Sequence, residues 1–403
     1  MTGAPDMTGA PGAVTTDLPR GHLRALQAVN TVSSLDRSAV APMLLVIAVD
    51  LHASVAAVTV AASLYYLSYG LLQPLWGVVS ARLGTVRTLR VALLGAAVAG
   101  ALSALAPGVG SLAVLRCIAG GFFGGAIPAT LVYVGATVPI ERRQQPLTDL
   151  MAGVAVGMAV ATVAAGWTAQ LLSWRLMFAV TAFLGAGLAW YLRGLAEPAR
   201  EEVQRQPVRA LVRAAADRWV VLVLVLAFVE GAALTGTFTF VAPGVQHASR
   251  AGAGLAGTVV AVYGVAVLAF SRVVRPLSAR LRTPTLLVTG GACGVLGFAV
   301  LAVQRSLPAG VLACVLLGAA WAFMHSTLQT WATSVAPRAR AQVVPLFSAC
   351  LFLGGSTGAA LGGPLVSAGT YGPLFAVSAL AFVPLTVVSA LTRRTYLTTR
   401  RGR

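Results

Sequence analysis

Four charged side chains stand where charge is hardest to keep. Asp36, Arg37, Arg116 and Glu230 each fall inside a long apolar run, away from the polar stretches that hold most other charged residues. In hydrocarbon an ionised side chain costs roughly 2.5–3.5 kcal/mol on insertion scales, so each needs a partner or a task. Asp36 and Arg37 lie about nine residues into their run, roughly 13 Å deep at ~1.5 Å per residue. Arg116 lies roughly 9 Å below the far face on a run of opposite direction, so its Cα and that of Asp36 differ in height by only ~8 Å in a ~30 Å core. An arginine side chain nearly bridges that gap. Asp36 is therefore a candidate proton carrier whose proton affinity Arg116 tunes; the plainer alternative is a static ion pair between helices. Arg37 either pairs with Asp36 or lines a cavity. Glu230 lies about eleven residues into its run, near the midplane. No basic partner is evident in the later runs. A carboxylate so placed suits proton exchange or attraction of a cationic substrate; the plainer alternative is a neutral, hydrogen-bonded acid.

Two softer constellations follow helical spacing. Tyr66, Tyr69 and Gln73 share one helix face, and Trp321, His325 and Gln329 stand at i, i+4 and i+8. Either stripe could line a cavity for an amphipathic ligand, although an aromatic stripe also serves helix packing. His325 falls toward the inner third of its run, where an interfacial histidine is equally at home.

The elements that position these residues are long and apolar. Of 403 residues, 58% are hydrophobic and 10% charged, against roughly 25% charged in soluble domains. Mean hydropathy is +0.84. Apolar spans fall near 27–48, 56–78, 88–106, 110–135, 147–172, 174–194, 219–241, 254–274, 284–304, 308–332, 343–366 and 370–392. Each is near the ~20 residues that a membrane-crossing helix requires. Strand-type alternation is absent, which argues against a membrane barrel.

The arginines test this segmentation. The chain has no lysine, and with the N-terminus inside, 24 of its 29 arginines fall on inner segments while Arg175, Arg250 and Arg305 alone fall on outer loops. Inner loops retain basic residues during insertion, so both termini are expected in the cytoplasm and the protein in the plasma membrane. One missed span would scramble the partition. The net charge of +18 is spread over alternate short loops rather than one stripe, which argues against nucleic acid as a partner.

The expected organisation is a disordered tail over 1–24, a six-helix bundle over 25–194 and a charged cytoplasmic linker over 195–217. A second bundle over 218–393 and a basic tail over 394–403 complete it. Cys117, Cys293, Cys314 and Cys350 lie within spans and read as free buried thiols. No spacing points to a metal, and no phosphate-binding glycine loop points to ATP. Neither a cofactor nor an enzymatic reaction is expected.

The halves repeat each other. At a shift of about 198, Ser80-Ala81-Arg82-Leu83 returns as Ser278-Ala279-Arg280-Leu281, and Gly120 falls on Gly318. Phe178-Ala179-Val180-Thr181 returns as Phe375-Ala376-Val377-Ser378 one residue short of that shift. The sequence resembles the major facilitator superfamily, in its drug/proton antiporter branch of twelve spans. Gly77-x3-Ala81-Arg82-x-Gly84 is similar to the loop 2–3 motif, with Ala81 in place of the usual acid. Arg116-x3-Gly120 is similar to the span-4 motif, Trp174-Arg175-x2-Phe178 to the 5–6 turn, and Leu35-Asp36-Arg37 with Ala41-Pro42-Met43 to span 1. In span 5, Gly157-x3-Ala161-Thr162-x2-Ala165-Gly166 lacks the antiporter proline.

The resemblance implies an all-α fold of two six-helix pseudo-symmetric bundles that rock around a midplane site. It implies proton-coupled efflux of lipophilic or cationic small molecules by one chain acting as a monomer in the bilayer. Gly77, Arg82, Gly84 and Arg280 would form the gate, the arginines meeting helix ends or acids across the halves. The alternatives are carriage of a specific metabolite, such as a sugar or amino acid, and a non-transporting sensor on the same fold. The scarcity of Asn and Gln in the spans leans against sugars.

Overall fold

A computed structural model describes residues 19–198, 217–336 and 340–401. The expected tail before residue 19 and most of the expected linker lie outside the described residues. Ala-, Val- and Leu-rich runs become helices here because hydrocarbon offers the backbone no other hydrogen-bond partners. Among the described residues, twelve helices are long and apolar enough to cross a membrane. In order these are Arg20–Asp50, Val55–Leu83, Thr85–Ala104, Val109–Thr137, Gln144–Leu171 and Trp174–Gly194, then Arg218–Ser249, Ala253–Arg280, Thr283–Val303, Leu307–Val335, Val343–Ser367 and Tyr371–Leu397. They coincide with the twelve apolar spans and keep those numbers. Span 1 begins at Arg20, inside the stretch expected to be tail, and the last helix runs on to Arg401.

Local chemistry sets several ends. The hydroxyls of Ser54 and Ser306 accept from the backbone N–H groups of Ala57 and Ala309, and the Asp217 carboxylate accepts from Trp219 N, so each caps a helix start. The turn between spans 2 and 3 needs Gly84, whose φ of +97° suits glycine.

Within the first half, span 1 packs on span 5, span 2 on span 4 and span 3 on span 6. The second half repeats this order: span 7 packs on span 11, span 8 on span 10 and span 9 on span 12. The sequence repeat is therefore a repeat of packing, two six-helix bundles of one design. The halves meet along spans 2 and 11 and along spans 5 and 8. At the 5–8 crossing the backbones come so close that a Cβ on Gly257 would collide with the Thr162 carbonyl, which is why small residues line it.

Among the described residues, four hydrogen bonds join the halves: Ala56 N to Ser367 Oγ at 2.7 Å, Trp167 Nε1 to Thr258 Oγ1 at 3.2 Å, Gln246 Nε2 to the Pro42 carbonyl at 3.3 Å, and Gly254 N to Gln170 Oε1 at 2.8 Å. All four lie toward the end of the bundle away from the termini.

Candidate functional site

Span 1 carries Asp36 inward against span 4. The Arg116 guanidinium donates from Nη1 to both carboxylate oxygens, at 3.1 and 3.0 Å, and both side chains are fully enclosed. Thr181 on span 6 donates its hydroxyl to Asp36 Oδ1 at 3.0 Å, and Arg116 Nε donates to Ser103 Oγ on span 3 at 3.2 Å. The guanidinium lies over the Phe178 ring, 4.2 Å from its centre. Depth counting finds the ion pair; it does not find Ser103 or Thr181, because hydroxyl residues are common on every span.

Arg37 does not pair with Asp36. It turns to the junction of the halves, donating to the Tyr69 hydroxyl at 3.3 Å, with its guanidinium 5.4 Å from the ring centres of both Tyr69 and Phe352. Phe352, on span 11, also stacks with Tyr66 at 6.2 Å. A lone phenylalanine carries no spacing signal, so nothing in the sequence marks it. Arg37, Tyr65, Tyr66 and Thr239 line a cavity of about 10 Å³ between spans 1, 2 and 7, room for roughly one water. Gln73 is buried on span 2.

The second half corrects the expectation for Glu230. It is not partnerless: His325 Nδ1 on span 10 lies 3.1 Å from Glu230 Oε2. Glu230 is fully enclosed and His325 is 6% exposed, so His325 is a core residue and not an interfacial one. The physical reason is that spacing along one span does not say which side chain of another span faces it; both spans also leave α-helical geometry beside this pair. Span 7 is π-helical over Gly231–Gly236, directly after Glu230, and span 10 is π-helical over Trp321–His325. Such turns hold extra residues and shift the register of everything beyond them. Trp321 stacks on His325 with ring centres 3.8 Å apart, but Gln329 is exposed and does not join the cluster.

Most of the residues expected to form the gate lie at the surface. Gly77, Arg82 and Arg280 are exposed, and among the described residues neither arginine meets an acid across the halves. The loop after span 2 is held by Glu197 instead. Its carboxylate accepts from Val86 N at 3.0 and 3.2 Å and from Arg87 N at 3.4 Å, at the start of span 3 beside the buried Gly84. At the other end of the bundle Asp50 accepts from Trp174 Nε1 at 2.9 Å and Arg175 Nη1 at 3.2 Å, which accounts for the Trp-Arg pair at the 5–6 turn.

A sequence model of the Major Facilitator Superfamily matches residues 28–359. Several solved structures share the fold. The nucleoside transporter NupG matches with a TM-score of 0.76 at 14% identity, covering 91% of this chain and 97% of its own. A bacterial homologue of the human lysosomal transporter Spinster, inward-facing and unoccupied, matches at 0.71 and 17% identity, covering 93% and 97%. A D-xylose–proton symporter matches at 0.70 and 16% identity, covering 90% and 96%. No curated protein matches the chain by sequence.

Proposed function

Because the chain belongs to the Major Facilitator Superfamily, a family of membrane transporters, we propose that it is a proton-coupled secondary transporter of small molecules, working by alternating access. One observation carries this reading. Each half holds one fully enclosed carboxylate on its first helix, and each carboxylate is met by a basic side chain from the fourth helix of the same half. Asp36 of span 1 has Arg116 of span 4; Glu230 of span 7 has His325 of span 10. The partners differ in chemistry. Arginine stays charged, whereas histidine gains and loses a proton in the physiological range. The second pair is thus the one suited to exchange a proton during the cycle, and the first is suited to hold its carboxylate ready until Arg116 is drawn away.

Export of lipophilic cations loses a support, because Glu230 is engaged by His325 rather than free to greet a cation. Carriage of a specific polar metabolite gains one, because Arg37 presents a positive charge at the junction of the halves. The placement proposed is the plasma membrane with both termini in the cytoplasm. The test is a compound panel in proteoliposomes with an imposed pH gradient. Flux of the responding compound should stop when a protonophore collapses the gradient. Flux that ignores the gradient in the unaltered protein refutes proton coupling, and no flux of any compound favours a sensor.

A further inference from the structure

Within the interior of the first half, charge does not balance. In the first half Arg116 neutralises Asp36, with the two groups in direct contact. Arg37 adds a second cation next to them. Among the described residues no carboxylate lies within 4 Å of its guanidinium. Its one hydrogen bond goes to a neutral phenol, Tyr69 Oη. An arginine at this depth is costly, and here that cost is met by aromatic faces instead of a counter-ion.

The surroundings add shape. Tyr66, Tyr69 and Phe352 present ring faces from both halves beside Arg37. Thr239 sets its hydroxyl beside the Tyr66 phenol, on the wall of the same small cavity. A hydroxyl on that wall can donate to or accept from a polar atom of a guest. Guanidinium matches a carboxylate bidentately and stacks on planar rings.

We propose that Arg37 is the anchor of the substrate site, and that the substrate is a planar, ring-bearing molecule with an anionic group, a carboxylate or its like. The Arg37 fork takes the anion, the rings of Tyr66, Tyr69 and Phe352 take the planar body, and Thr239 takes a polar atom from the span-7 side. The small cavity lined by Arg37, Tyr66 and Thr239 lies within this site. The proposal rests on the transporter reading for the steps after binding, but binding itself needs no gradient.

The test uses the purified full chain in micelles. Three aryl carboxylates of rising size (benzoate, 2-naphthoate and 9-anthroate) are each compared with their neutral amides by equilibrium calorimetry. For at least one pair the carboxylate should bind roughly tenfold or more tighter than the amide, as expected for a charged hydrogen bond. Arg37→Gln should erase that preference, and Arg37→Lys should keep part of it, since charge remains but the fork and planar stack are lost. Size-exclusion profiles identify a misfolded Gln variant, in which case a reduced preference in a well-folded Lys variant supports the proposal and an unchanged one overturns it.

No carboxylate preference in any pair, absence of binding included, overturns the proposal, as does a preference that survives Arg37→Gln. The two readings fail separately. If 2-naphthoate binds through Arg37 but no pH gradient moves it in proteoliposomes, the anion site stands and proton coupling falls. If a gradient moves the cationic analogue (2-naphthyl)trimethylammonium while no carboxylate is preferred, coupling stands and the anion site falls.

Discussion

Replacing Arg116 with Met is the sharpest probe of how the first half is held. The change leaves the Asp36 carboxylate fully enclosed, with the Thr181 hydroxyl as its remaining hydrogen-bond donor. At the observed 3.0 Å separation, Coulomb's law with an effective dielectric of ~20 gives about 5.5 kcal/mol. Removing one partner of a buried pair costs about 3–5 kcal/mol in measured cases. An ordinary hydrogen bond between membrane helices averages only about 0.6 kcal/mol. The two scales separate the alternatives. Arg116→Met also loses the stacking on Phe178, but it does so whatever stands at position 36, so a double-mutant cycle removes that contribution.

Reversible unfolding by SDS in mixed micelles, with Arg116→Met, Asp36→Asn and the double change, reads the coupling directly. We expect a coupling of at least about 2 kcal/mol, most of the loss in Arg116→Met being returned by Asp36→Asn. A coupling near 0.6 kcal/mol would mean that the two groups share no more than a common membrane hydrogen bond, and the reasoning from charge would fail.

Other outcomes are expected from the same geometry. Asp36→Asn should express and fold but lose gradient-driven transport; full gradient-driven transport would make Asp36 purely structural. Glu230→Gln should slow gradient-driven flux of a matched cationic and neutral pair alike, because it removes a proton site. Selective loss of the cation would instead identify Glu230 as a cation anchor, and undiminished flux of both would remove it from the mechanism. Glu197→Ala should lower stability by about 0.5–1 kcal/mol in the SDS titration, since it strips the acceptor from the start of span 3; an unchanged midpoint would show that the contact contributes nothing. Single cysteines placed in the 195–217 stretch should label only from the cytoplasmic side of intact cells, and labelling from outside would invert the topology.

The architecture was legible because its signals are redundant. Twelve runs of sufficient length, a partition of arginines that one missed span would scramble, and a repeat at an offset of 197–198 residues all point the same way. The Asp36–Arg116 pair was legible because both helices stay α-helical between the membrane face and the charge, so counting residues measures depth. The same counting failed for Glu230 and His325. Counting along one span gives depth but not what a neighbouring span sets opposite, so it gave no sign that His325 faces Glu230, nor that Gln329, one α-helical turn beyond His325, is exposed. Arg37 was ambiguous for a different reason. Adjacent residues on a helix point about 100° apart, so Asp36 and Arg37 had to face different neighbours, and only the packing of span 11 shows that Arg37 faces Phe352.

The four bonds that join the halves have one chemical trait in common. Every donor and acceptor among them is a neutral group: a backbone amide or carbonyl, a hydroxyl, an indole or a carboxamide. At about 0.6 kcal/mol each in a membrane, they sum to roughly 2–3 kcal/mol, an amount that a ligand binding one state about a hundredfold more tightly would outweigh. Neutral bonds are also indifferent to ionic strength, unlike charged latches, whose hold weakens as salt screens them. Among the described residues, this closure therefore has no ionic lock, and its balance with the opened form should stay put across salt concentrations that would loosen a bridge of opposite charges.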